Sequence, residues 1–246
     1  MEYQLITPSI PIQTNSLVEW VFANRGMTPA QKNHYLNTSR EDILDPLLLD
    51  NMREGAKMLV KHLSAGDKIF VQVDADADGM TSSAALINYI NMFAPGVAQN
   101  NILYRVHTGK QHGIILNTIP DDVKLVIIPD AGSNQISEHK ELWEKGIDVL
   151  VLDHHEVDEI SPYACIINNQ TCDYPNKTLS GVGVVYKFCS YLDSLLGCDY
   201  ADRILDLVAV GLVADMMDLR NFETKELIDL GLNNLRNPFI TAFADA

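Results

Sequence analysis

The stretch KIFVQVDADADGMTSSAALINYINMF, residues 68–93, decides how this chain is read. Its first six residues are rich in β-branched and aromatic side chains and read as a strand, while TSSAALINYINMF at 81–93 has the apolar spacing of a helix. Between them stand three aspartates on alternate positions, Asp74, Asp76 and Asp78, followed by Gly79 and the hydroxyls of Thr81 and Ser82. Two carboxylates about 4 Å apart repel by roughly 4 kcal/mol at an effective dielectric near 20. Three converging aspartates therefore oppose folding unless a cation or full solvation offsets their charge. Gly79 is expected to permit a tight exit from this turn, and Thr81 or Ser82 to cap the helix that follows.

The same alternation continues outward. Strand-like runs recur as ILYRV at 102–106, KLVIIP at 124–129, DVLVL at 148–152 and ACIIN at 164–168, with helix-length segments such as SNQISEHKELWEKG at 133–146 between them. This order predicts an α/β fold built on a mainly parallel sheet, and the nearly continuous apolar character of the strands predicts helices on both faces. Beyond the last strand lies a helical C-terminal part, with segments at 181–196, 201–215 and 224–236, after which Pro238 is expected to break the last helix. The first residues, through about 45, read as a helical lead-in containing Trp20.

Composition narrows the classes. At 246 residues and 47% hydrophobic content the chain can bury a substantial core. Its longest apolar run, LVAVGLVA at 207–214, is too short to span a bilayer, and the N-terminus lacks a basic region followed by an apolar segment, so no membrane association is expected. Cys165, Cys172, Cys189 and Cys198 form no C-x-x-C pair and read as packing residues suited to a reducing cytoplasm. The net charge of -15 argues against a basic surface that coats nucleic acid, although bound divalent cations would cancel part of it locally. Trp20, Trp143, His34, His62, His107 and His139 are read as packing or surface residues.

Acidic and histidine residues fall directly after three of the strands: the aspartate triplet, Asp130 after LVIIP, and Asp153, His154 and His155 after VLVL. Ligands of open α/β sheets bind outside the carboxyl ends of the strands, so all three groups can meet in one crevice. A further acid, Asp215, ends the apolar segment LVAVGLVAD. The opening D-A-D-A-D-G also matches a calcium-binding EF-hand loop, but a strand precedes it and its twelfth position is Ala85 instead of glutamate. No phosphate-binding loop or dinucleotide fingerprint follows a strand; GVGVVY at 181–186 reads as the start of a closely packed helix whose backbone N–H groups could meet a phosphate. Several aspartates with one or two histidines suit Mn²⁺ or Mg²⁺ better than zinc, and so many carboxylates suggest two metals.

Taken together and in this order, VDADADGMTS, IIPDAGS, LDHHEV and GLVADMMDL resemble the four motifs of the DHH phosphoesterase superfamily. LDPLLLDNMREGAKML, ACIINNQTCDYPNKTLSGVGVVYKF and LDLVAVGLVADMMDL narrow the resemblance to the RecJ-type single-strand exonucleases, over about residues 44–236. The resemblance implies a hydrolase that releases 5′ mononucleotides from single-stranded DNA, 5′ to 3′, by attack of a hydroxide activated by two metals, Mn²⁺ before Mg²⁺. It implies Asp76 on one metal and Asp78 on the other, Asp74 in support, Asp130 bridging both, and His154 and Asp215 completing the second. His155 would face the substrate phosphate and, with Asp130 and Asp76, do the catalytic work. Apart from the resemblance, Arg105, Lys110 and His112 are candidates to meet a phosphate backbone, a plain exposed loop being the equal alternative, and Gly181 and Gly183 are candidate substrate contacts through their backbone N–H groups.

The implied organisation is a lead-in over 1–45, a catalytic domain over 46–236, and the start of a linker at 237–246 without the family's second domain. A second departure is RVHTGKQHGIIL at 105–116, where a tyrosine is usual and His112 stands instead. Two other readings share the motifs: a phosphodiesterase for short oligonucleotides, cyclic dinucleotides or pyrophosphate, and a non-catalytic scaffold. Repair or replication proteins are the partners the resemblance implies, in the cytoplasm.

Overall fold

A computed structural model describes residues 17–109 and 111–244. The lead-in forms helices α1 (Leu17–Asn24) and α2 (Pro29–Leu36), and α3 (Met52–Ala65) runs into strand β1 (Lys68–Val73). There follow α4 (Ala77–Phe93), α5 (Pro95–Asn101), β2 (Ile102–Val106), β3 (Val123–Pro129), α6 (Ile136–Glu144), β4 (Asp148–Asp153) and β5 (Cys165–Asn168). Four helices close the described chain: α7 (Gly181–Leu196), α8 (Leu205–Ala214), α9 (Phe222–Leu232) and α10 (Pro238–Ala244).

All strand pairings are parallel, in the order β2-β1-β3-β4-β5. Alternate side chains feed two cores. Ile69, Val71, Leu125, Ile127, Leu150 and Leu152 pack toward α3, α4, α7 and α8, while Phe70, Val126, Ile128, Val149 and Val151 form a smaller core with Leu142 of α6. Burial on both faces explains why these strands read as unbroken apolar runs. The chain leaves β1 for β2 on one side and returns to β3 on the other, so the order reverses at β1/β3. That reversal opens a crevice at the carboxyl ends of these two strands, the place where such sheets bind ligands.

Two local expectations change. Helix α4 begins four residues before the hydroxyl pair, because Asp76 is its N-cap and accepts a hydrogen bond from the Gly79 amide at 2.8 Å. Thr81 and Ser82 thus lie inside the helix, and Gly79 serves close approach, since a Cβ there would sit 2.5 Å from the Asp74 Cβ. Pro238 opens α10 instead of breaking the preceding helix, which has already ended at Leu232. Proline is tolerated at a first helical position because its missing N–H would be unpaired there anyway.

A buried polar knot fixes the C-terminal helices. Glu223 of α9 accepts from Tyr174 at 2.8 Å, Asn176 at 3.0 Å and the Leu44 amide at 3.0 Å, and pairs with Lys187 of α7. Burial lowers the Lys187 pKa, and the Glu223 charge opposes that shift.

Candidate metal centre

Each acid reaches the crevice by a different backbone device. Asp130 follows β3 and adopts φ +65°, a left-handed conformation that aspartate tolerates better than most residues. His154 and His155 follow β4, whose last residue, Asp153, is buried and accepts from the Ser133 amide at 3.1 Å and the His154 amide at 2.7 Å. Asp78 sits in the first turn of α4 against the N-terminus of α7, accepting from the Gly181 amide at 2.6 Å, the Val182 amide at 3.2 Å and Ser180 Oγ at 3.0 Å. Asp215 is the C-cap of α8.

These residues converge on His154. Its Nε2 lies 3.1 Å from Asp130 Oδ1, 3.5 Å from Asp215 Oδ2 and 3.9 Å from Asp78 Oδ2. Two sets place their donor atoms within 4.8 Å of one another: Asp78, His154 and Asp215, and Asp130, His154 and His155. Asp130 Oδ1 is buried and has no hydrogen-bond partner. Burial pushes the Asp130 carboxyl far above the ordinary carboxylate range, with the Asp78 charge adding to the shift, and burial raises Asp78 as well.

The second histidine of the pair is held differently. His155 Nδ1 lies 2.7 Å from Asp153 Oδ1, which raises the imidazole pKa and leaves Nε2 outside that pair. At Asp153 burial pushes upward, but the hydrogen bond from His155, the imidazolium charge and hydrogen bonds from Ser133 and the His154 amide outweigh it and hold the carboxyl well below its usual range. The result is a half-exposed imidazole of raised pKa at the edge of the crevice.

Other sequence-predicted residues find different places. Asp74 and Asp76 belong to neither donor set: Asp74 contacts His112 Nδ1 and lies 3.4 Å from His107 Nδ1, and Asp76 caps α4. His112 stands at the crevice, its ring centroid 5.6 Å from that of His155. Arg105 lies on β2 and is tied through Nη2 to Gln111 at 3.1 Å. Lys110 lies outside the described residues. Gly181 gives its amide to Asp78, so that amide is not free for a phosphate, and a Cβ on it would sit 2.4 Å from Asp130 Oδ1, so the glycine lets α7 approach the acids. Gly183 is buried against Leu179.

His107, read with the other histidines as a packing or surface residue, is buried and also bridges Asp74 and the Gly113 carbonyl, the latter at 2.8 Å. Ser180, Ser133 and Asn168 also support the site, the last by donating to Ser133 Oγ and the His155 carbonyl, both at 3.0 Å. Ser180 directly precedes the glycine pair, the one local cue that pointed to it.

The model of the DHH family, N-terminal domain, matches residues 68–212. The chain belongs to the DHH family. Over 245 residues, 98% of this chain and 41% of the relative, it is 42% identical to the putative SPbeta prophage-derived single-strand DNA-specific exonuclease YorK of Bacillus subtilis (strain 168). It is 32% identical to the single-stranded-DNA-specific exonuclease RecJ of the same organism, over 89% of this chain and 28% of that protein. This DHH chain therefore spans less than half the length of the curated relatives it matches. Among solved structures, exonuclease RecJ bound to manganese superposes with a TM-score of 0.67 at 28% identity, covering 77% of this chain and 49% of that one. RecJ in complex with Mn²⁺ from Thermus thermophilus gives 0.65 at 27% identity, over 89% of this chain and 33% of that one. The parallel α/β architecture expected from the alternating strands and helices is thus the fold of this DHH domain.

Proposed function

We propose that this chain carries the catalytic site of a divalent-metal-dependent phosphodiesterase that degrades single-stranded DNA from its 5′ end to 5′ mononucleotides. The observation that carries this reading is Asp130 Oδ1, buried without a hydrogen-bond partner and facing His154 Nε2 at 3.1 Å. A buried acceptor without a partner costs about 1–3 kcal/mol, more if charged, and a bound cation removes that cost. The oxygen-rich donors with one or two imidazoles suit Mn²⁺ or Mg²⁺, and the matching RecJ structures hold Mn²⁺.

Asp78, His154 and Asp215 would hold one ion, and Asp130, with Asp76 and Asp74 behind it, would serve a second. Two such ions, when bound, supply charge for the phosphoryl oxygens and an attacking water of lowered pKa. The chain's own residues do the remaining work. Ser180 and the first amides of α7 fix the Asp78 carboxylate, so its oxygens need no reorganisation during reaction. Asp153 holds His155 by Nδ1 and raises its pKa, which favours the imidazolium form whose Nε2–H would donate to a phosphoryl oxygen or to the leaving oxygen. The catalytic unit in this reading is 46–236, with residues 1–45 as lead-in and 237–246 beginning a linker.

Release of mononucleotides from 5′-labelled single strands with Mn²⁺ tests the proposal, and Asp130→Ala should abolish it. A folded, metal-loaded protein that releases none would overturn the reading. The net charge of -15 favours a second substrate class, short oligonucleotides, because a small substrate needs fewer phosphate contacts. Comparing turnover of a long strand with that of a dinucleotide separates the two.

A further inference from the structure

Past Asp215 the surface changes character. Met216 adopts φ +52° and is 88% exposed. Its amide bonds the Val213 carbonyl at 3.1 Å and the Met217 amide bonds the Leu212 carbonyl at 3.1 Å, the pair of hydrogen bonds that ends a helix with a left-handed residue, a position glycine usually takes. An exposed methionine is thus held where a side chain is disfavoured, one residue from a carboxylate facing His154. Beside it runs a groove of about 610 Å³ lined by Val213, Met216, Met217, Arg25 and Arg220, a size in the range of ligand pockets, about 300–1,000 Å³. Arg25 and Arg220 also line an adjoining hollow, which adds Lys177.

The charge of this groove opposes that of the molecule. Arg25, Lys177 and Arg220 face one carboxylate, Asp218, which makes a local charge of +2 on a chain of net charge -15. Asp218 grips Arg220 through Nε at 2.9 Å and Nη2 at 2.6 Å, while Nη1 takes no part in that pair. Arg25 comes from the turn between α1 and α2, so the lead-in contributes one wall. A positively charged groove is what tracks the backbone of a single strand, and where aromatic side chains commonly stack the bases, this groove offers the aliphatic Met216 and Val213 for apolar contact with base faces.

We infer that this groove is a binding subsite for a single-stranded phosphodiester chain, holding the nucleotides beyond the scissile bond through Arg25, Lys177 and Arg220 with bases against Met216 and Val213. The inference rests on the proposed hydrolysis of single strands, because it takes Asp215 to mark the reacting end. The lead-in then belongs to substrate recognition, and its arginine offsets the repulsion that the rest of the surface exerts on a polyanion.

Binding of a labelled 20-nucleotide thymidine strand, followed by fluorescence anisotropy in EDTA, isolates the groove from catalysis. The double substitution R25E/R220E should weaken binding about tenfold near 0.15 M salt, and each lost contact should flatten the log–log salt slope by about 0.7. R25K should retain wild-type affinity. The fold of the double variant is checked by its melting curve. If that curve shows misfolding, R25Q alone, at an exposed turn, carries the test with an expected severalfold loss. Wild-type strand affinity in the charge-reversed protein, or no strand binding by the wild type, overturns the subsite. A wild type that binds strands through these arginines yet cleaves nothing would keep the subsite and overturn the proposed hydrolysis.

Discussion

At the scale of single residues the centre is defined by carboxylates held where solvent would normally reach them. Asp130 and Asp78 are almost fully buried, and their raised pKa values have a thermodynamic consequence. A carboxyl whose folded-state pKa lies above the ordinary 3.8 binds its proton more tightly when folded. Its favourable contribution is complete below that value and is lost as pH rises toward the folded pKa, by up to about 1.4 kcal/mol per pH unit for each group. In EDTA the melting temperature should therefore fall from pH 6 to pH 8, and Asp130→Asn should flatten that fall; equal slopes in thermal melts would refute the protonated state of Asp130. Binding of Mn²⁺ should release protons, read by calorimetry in buffers of different ionisation enthalpy. Gly181→Ala tests the close approach of α7, because its Cβ would strike Asp130. Loss of Mn²⁺-dependent thermal stabilisation is the expected outcome.

Elements carry the next set of constraints. Helix α4 makes Asp76 serve two ends, capping the helix and standing near enough for its charge to raise Asp130. Asparagine caps as well as aspartate, whereas alanine costs about 1 kcal/mol at such a position. Asp76→Asn should therefore keep the melting temperature of the metal-free protein while weakening Mn²⁺ binding, and Asp76→Ala should lower both. If Asp76→Asn binds Mn²⁺ as the wild type does, Asp76 is a cap and nothing more. At the far end of α8, Met216→Gly removes a left-handed side chain whose conformation costs about 1–2 kcal/mol, partly offset by the greater freedom of glycine when unfolded. A net gain of about 0.5 kcal/mol is expected in denaturant titrations.

For the whole molecule, the question is what keeps an acidic crevice assembled. The Glu223 knot ties α9 to α7, to Leu44 and to the segment carrying Tyr174 and Asn176, and α9 in turn packs on α8, which presents Asp215. Removing one partner of a buried pair leaves the other charge uncompensated, so Glu223→Ala should cost about 3–5 kcal/mol in global stability. Mn²⁺ at a hundredfold excess over its Kd should stabilise the wild type by about 2.7 kcal/mol, and Asp78→Ala should blunt that response. A melting point indifferent to metal would overturn the proposed metal centre. No helix among the described residues is long and apolar enough to cross a membrane.

The sequence by itself determined the strands, their parallel arrangement and the family, because doubly buried strands carry unbroken apolar runs and acids placed after them mark a ligand-binding edge. The strand at 102–106 and the helix at 181–196 stand where periodicity put them. Only the tertiary structure decided the tasks of individual side chains. The triplet DADAD looks uniform along the chain, yet Asp74 faces two histidines, Asp76 caps a helix and Asp78 meets the first amides of α7, more than a hundred residues away. His107 looked like filler because its partner lies across the parallel pairing of β1 with β2, 33 positions away. Local pattern records which face of an element is buried; which donor meets which acceptor depends on approach between distant segments, and that is set by packing.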